Sequence, residues 1–223
     1  MRTTKDRCTY CDADKDLTLD HVPPKLLLDR PYPKNLITVP ACSSCNKSFQ
    51  KDDEYLRTML CADPSAFRNP AAQFNLSAVR RALQRPEAKG FVEYLAKQYR
   101  PSVLVDPRGA SIPRFELDKS RINKSGERLI RALHFHETKK QLPLTAIVRV
   151  SARMDLTPDD PDALTLARVF KTTPDWRDGS IGTAFSYLAA MGSKGMGVSF
   201  WLMRLYDFFF WAGTVDCRAQ FEK

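Results

Sequence analysis

The sequence predicts an α+β chain, with a small cysteine-rich module over residues 1–65 followed by a larger helical and antiparallel-strand domain over residues 66–223. Three observations predict it. Two Cys-x2-Cys pairs bracket two short β-patterned runs near the N-terminus. Helical spacing of apolar residues dominates from about residue 76 to residue 141. Alternating apolar runs with turn residues between them fill the last third. With 223 residues, 43 % hydrophobic and 27 % charged, the chain can bury a sizeable core without disulfides.

Within the first module, Leu17–Val22 and Asn35–Val39 read as strands, and Pro23-Pro24 with Pro31-Tyr32-Pro33 force a loop between them. A helix follows from about Cys45 to Cys61, with Phe49, Tyr55, Leu56, Met59 and Leu60 facing inward. Asp63-Pro64 and Asn69-Pro70 mark a linker. Residues 76–99 carry a helical pattern interrupted by Pro86, so one helix or two is expected, and Glu127–Gln141 is a further helix. Leu144–Val150, Ala184–Ala189, Val198–Leu205 and Phe208–Val215 read as strands, the last two pairing around Tyr206-Asp207. The glycine-rich run Gly192–Gly197 is neither a dinucleotide fingerprint nor a P-loop, and a flexible turn between strands is expected there.

The net charge of +9 is unevenly spread. Residues 66–140 hold 16 Lys/Arg against 7 Asp/Glu, whereas the segments on either side are neutral. Arg80, Arg81, Arg85, Arg121, Lys124, Arg128 and Arg131 are therefore the candidates for phosphate contacts with a nucleic acid, DNA preferred. A well-solvated helical face explains the same excess. Met1–Cys8 is polar, unlike a signal peptide, and the most apolar stretch, Val198–Val215, is broken by Arg204 and Asp207, unlike a membrane span. A cytoplasmic, reducing location without a membrane partner is expected, so paired cysteines read as metal ligands before disulfides.

Cys8-x2-Cys11 and Cys42-x2-Cys45 supply four thiolates, the ligand set of a tetrahedral zinc ion, with free cysteines or a redox pair as the alternatives. Four sulfurs leave no open position, so this zinc would be structural. Cys61 and Cys217 lack pattern partners and read as ordinary buried cysteines. His134 and His136, two apart on a helix, point to nearly opposite sides and read as packing residues.

Between the cysteine pairs lie Asp20-His21 and Asn35-Leu36, and Asn46 follows Cys45. Cys8-x2-Cys11, Asp20-His21, Asn35-Leu36 and Cys42-x2-Cys45-Asn46, in this order within about 40 residues, resemble the HNH, or ββα-metal, nuclease family. The resemblance extends to Asp20-His21-Val22-Pro23-Pro24-Lys25 and to Leu133-His134-Phe135-His136, which look like a group of small bacterial HNH proteins. It implies a metal-dependent endonuclease: Asp20 and Asn46 binding a catalytic Mg²⁺ or Mn²⁺, His21 activating water, and Asn35 holding the loop that orients His21. The residue chemistry suits those roles. Imidazole titrates near neutrality and can serve as base, and Asp and Asn offer hard oxygens for a hard cation. Asp20 and His21 are neighbours on a strand and face opposite sides, so a bend at Pro23-Pro24 is expected to bring both into one site. A further His or Lys ligand, common in the family, has no clear counterpart. Lys47 and Lys51 lie nearby, and Asp52 or Asp53 is the alternative ligand, although both read first as solvated helix carboxylates. The alternatives are a non-catalytic zinc module that binds nucleic acid or a partner, an RNA-cutting toxin or defence effector, or, for Asp20-His21 alone, a satisfied polar pair at a strand end.

Overall fold

The computed structural model describes residues 7–100, 114–154, 159–173, 175–192 and 197–217. Strand β1 (Leu17–Val22) pairs antiparallel with β2 (Ile37–Cys42), and helix α1 (Ser43–Ala62) continues directly from β2. This is the strand, loop, strand, helix order expected. Strand β2 starts two residues later than expected, because Lys34 and Asn35 form a turn and pairing begins at Val22 and Ile37. Helices α2 (Pro70–Leu83) and α3 (Lys89–Ala96) are separated by a short turn at Pro86, which cannot continue a helix. A two-residue pairing of β3 (Tyr99–Arg100) with β4 (Arg114–Phe115) leads into helix α4 (Lys119–Thr138).

Helix α4 begins eight residues earlier than expected. Asp118 caps it, accepting hydrogen bonds from the Ser120 and Arg121 amides at 3.1 and 3.3 Å. After it come β5 (Ile147–Met154), helix α5 (Pro161–Thr172), and β6 (Asp175–Ile181), β7 (Phe185–Met191), β8 (Val198–Leu205) and β9 (Phe209–Asp216). The five strands form one antiparallel sheet in the order β5-β9-β8-β7-β6. Strand β6 escaped the sequence reading because it is an edge strand in which only Ile181 is buried, so it lacks an alternating apolar face. The β8–β9 turn holds Tyr206 and Asp207 at φ 51° and 68°, the left-handed geometry that matches hairpin twist. Most of the Gly192–Gly197 turn lies outside the described residues.

The segment expected to be a linker is a joint. Asn69 is fully buried; its side-chain oxygen caps α2 through the Ala71 and Ala72 amides, and its Nδ2 donates to Thr183 O and Asp207 Oδ2, both at 2.8 Å. One contiguous cluster of buried apolar residues runs from Val22 through α1, α2 and α4 to Val215, with no seam near residue 65. Helix α4 is its axis, touching β1, β2 and α1 on one side and β5 and β9 on the other. Its approach to the sheet is close: a Cβ on Gly213 would meet Ile130 Cδ1 at 2.3 Å. Among the described residues no helix is long and apolar enough to cross a membrane.

Candidate metal centre and nucleic-acid surface

The four cysteines converge because short turns aim them. The Asp12 amide bonds Cys8 O at 2.9 Å and the Cys8 amide bonds Ala13 O at 2.7 Å, closing a knuckle that the Thr9 amide fastens to Pro40 O. Cys42 ends β2 and caps α1, its sulfur accepting from the Cys45 amide at 3.4 Å. All four Sγ atoms lie within 4.8 Å of one another, and Cys11 and Cys42 are 3.6 Å apart. A tetrahedral zinc with bonds of about 2.3 Å separates its sulfurs by about 3.8 Å, so the cluster has the size such an ion needs. The Cys45 amide draws the Cys42 thiol down to about 7, whereas burial pushes Cys45 well above the ordinary thiol range. Four sulfurs this close cannot all ionise without a cation among them. The cluster can hold a metal such as zinc, and Gln141, in the segment after α4, ties it to the rest of the chain by donating to Cys8 O at 2.8 Å.

The Asp20, His21, Asn35 and Asn46 set is arranged differently. Strand β1 pairs with β2 in regular register, Asp20 opposite Val39 and His21 opposite Thr38, with pairing continuing to Val22. The expected bend therefore falls after the pair, and the pleat separates its members. Asp20, 6 % exposed, turns to the core face with Val39, whereas His21 shares the outer face with Leu19, which is 60 % exposed. His21 is half-buried, and burial and then the Lys25 charge lower its pKa, favouring neutral imidazole. Asn46, in the first turn of α1, meets β1: its Nδ2 donates to Thr18 Oγ1 at 3.1 Å and reaches Leu19 O at 3.5 Å. The Asn35 side chain donates to Ser180 O on β6 at 2.7 Å.

Asp20 belongs to a buried network. The Tyr10 hydroxyl donates to Asp20 Oδ2 at 2.5 Å, and Arg128 Nε on α4 lies 3.9 Å from the same oxygen. Arg128 binds Asp53 on α1, NH1 to Oδ2 at 3.0 Å and NH2 to Oδ1 at 2.9 Å, and its guanidinium lies over Phe49 at 4.5 Å. Burial raises the Asp53 carboxyl to about 6 despite that partner. Asp52 and Asp53 are thus not the solvated carboxylates expected: Asp53 is enclosed with Arg128, and Asp52 takes Arg121 Nε at 2.7 Å. Tyr10 and Phe49 have no role in the sequence reading of this site, and Asp53 enters it only as a candidate metal ligand or solvated carboxylate, not as the partner of Arg128. The usable signal was that Asp53 falls on the inward stripe Phe49, Leu56, Leu60 at helical spacing, as Arg128 does with Ser125 and Ala132.

The basic candidates divide by burial. Arg80, Arg81, Arg85 and Lys124 are exposed. Arg121 and Arg131 are partly buried and engaged, Arg131 with Glu127 and with Ala146 O at 3.0 Å. Arg128, at 4 % exposure, is a core counter-ion and leaves the set of surface phosphate contacts. His134 and His136 share no site, and burial lowers the His134 imidazole to about 4. Compared with protein-family models, with curated proteins and with solved structures, the chain matches none. Fold and site together define a mixed α+β protein with a four-cysteine cluster suited to a metal such as zinc.

Proposed function

We propose that the chain is a metal-dependent endonuclease of the HNH type, hydrolysing phosphodiester bonds in DNA. One observation carries the reading: a four-cysteine corner closes a β1–β2–α1 unit in which Asn46 lies against β1 beside the Asp20-His21 pair. His21, half-buried and favoured as neutral imidazole, takes the proton of an attacking water. Asp20 Oδ1, the oxygen not held by Tyr10, and the Asn46 side-chain oxygen are the hard donors suited to Mg²⁺ or Mn²⁺. Bound there, such an ion would offset charge on the strained phosphate. Asp20 is enclosed beside Tyr10 and Arg128, so its use as a ligand requires that cover to open. Exposed Arg80, Arg81, Arg85 and Lys124 hold the nucleic-acid backbone.

The placement of Asp20 and His21 on opposite faces favours a second reading, a zinc-stabilised module that binds nucleic acid without cutting it. Cleavage of supercoiled plasmid by the zinc-loaded protein with Mn²⁺, beside His21→Ala and a reaction without added Mn²⁺, separates the two. The nuclease reading expects nicking by the wild type alone and only with the ion. Binding without cleavage of duplex DNA, single-stranded DNA and RNA would leave the second reading standing. RNA cut and DNA spared would move the substrate and keep the chemistry.

A further inference from the structure

A cleft of about 570 Å³ opens where α1, the α2–α3 turn, α3 and α4 meet. Its lining combines three kinds of group. Lys51 and Arg85 supply exposed cations. Phe91 and Tyr94 on α3 supply aromatic rings, and Glu54 and Glu87 supply carboxylates. Arg121 is fixed in its wall by Asp52 Oδ1 at 2.7 Å and Lys51 O at 2.6 Å, with its guanidinium 4.5 Å from the Tyr55 ring centroid and 5.4 Å from that of Tyr94. Its charge is thereby spent on Asp52, and Lys51 and Arg85 are the cations left for a ligand. The acids balance the cations, so a bare polyphosphate is poorly matched. An aromatic wall, an acidic edge and two exposed cations together match a nucleotide: a ring to stack, N–H donors for carboxylates, and flanking phosphates.

The location agrees. Lys51 and Glu54 follow Asn46 on α1 by five and eight residues. That places them roughly 8 and 12 Å along the helix at ~1.5 Å per residue. Lys51 and Glu54 also lie about 140° and 80° around the helix from Asn46 at ~100° per residue, so a strand crossing α1 could reach both. A paired base could not enter it without leaving its stack.

We propose that this cleft binds one unpaired nucleotide, its base stacked on Phe91 with N–H donors toward Glu54 and Glu87 and its flanking phosphates on Lys51 and Arg85. The favoured substrate is then single-stranded or locally opened nucleic acid, with bases that carry an amino group preferred over thymine. The inference rests on the nucleic-acid partner proposed above and not on cleavage.

The test is fluorescence anisotropy of a short labelled cytosine-rich single strand, of the same strand annealed to its complement, and of a thymine-only strand. It uses the full chain at low salt without added divalent metal. The expected result is single-strand binding roughly ten-fold tighter than duplex binding, and weaker binding of the thymine strand. Phe91→Leu, which keeps the apolar character and much of the bulk and removes the ring face, should cost the single strand roughly ten-fold and leave the duplex unchanged. Arg85→Glu, on the surface, should weaken the single strand and flatten its salt dependence. Equal affinity for single strand and duplex, no binding of either, or an unaffected Phe91→Leu variant would overturn the proposal. Adding Mn²⁺ afterwards keeps the two readings apart. Discrimination without cleavage leaves the cleft standing and removes the nuclease, whereas cleavage without discrimination does the reverse.

Discussion

The four-cysteine corner and the Asp20 network lie in the same β1–β2–α1 unit, joined through Tyr10, which sits between Cys8 and Cys11 and donates to Asp20. They are built by different means. The sulfurs come from tight turns and a helix cap, and their spacing along the chain is enough to bring them together. The Asp20 site draws on a knuckle, a strand, α1 and α4, and its counter-ion Arg128 lies 108 positions along the chain from Asp20. A site made of local turns is set by sequence separation. A site made of a strand residue is set by which face the pleat presents and by what distant element covers that face.

The largest effect should come from the corner. Cys45→Ser is expected to abolish binding of about one zinc per chain and to lower the melting temperature sharply, within the ~10–16 kcal/mol ceiling of structural zinc. Elemental analysis and thermal melting check it, and a zinc-free variant as stable as wild type would reduce the corner to four ordinary thiols. Next is Arg128→Met, which leaves Asp20 and Asp53 enclosed without their cation. A loss of about 3–5 kcal/mol in urea unfolding is expected. A loss no larger than that of an exposed Arg would mean that the network is not closed.

A smaller effect sharpens the contrast through pH. Asp53, raised to about 6, contributes stability at acid pH that is lost as pH rises through 6. His134, lowered to about 4, does the opposite: its contribution is present above the ordinary histidine value and is lost as pH falls toward 4. Between pH 4 and 6.5 the two slopes oppose each other. Asp53→Asn should steepen the loss of stability on acidification, and His134→Gln should reverse its sign, read as urea midpoints across that window. Slopes identical to wild type in both variants would deny these groups their shifted values. The smallest stability effect belongs to the surface. Arg80→Glu with Arg81→Glu should change unfolding by no more than about 0.5 kcal/mol while weakening nucleic-acid binding at low salt. An unchanged salt slope would remove this helix end from the interface.

The elements with strong local signals were legible. Leu17–Val22 and Val198–Leu205 occupy their expected bounds, because alternating apolar residues between turn formers leave few other options. The start of α4 was missed because its signal is a single cap, Asp118, before a run of polar residues. The expected linker at 63–70 contains the right breakers, Pro64 and Pro70, but each opens a helical turn behind its own cap, Asp63 and Asn69, and Asn69 is in turn anchored by Thr183 and Asp207.

By itself the sequence determined the α+β class, the strand, loop, strand, helix order and the four-cysteine cluster, because each rests on spacing and period within a short stretch of chain. Only the tertiary structure decided that Asp20 faces inward and His21 outward, that Asn35 bonds Ser180, and that Arg128 is a buried counter-ion. Those outcomes depend on where α4 and the five-stranded sheet come to rest. An Asp or Arg has the same local propensity whether it meets water or an opposite charge from a distant part of the chain.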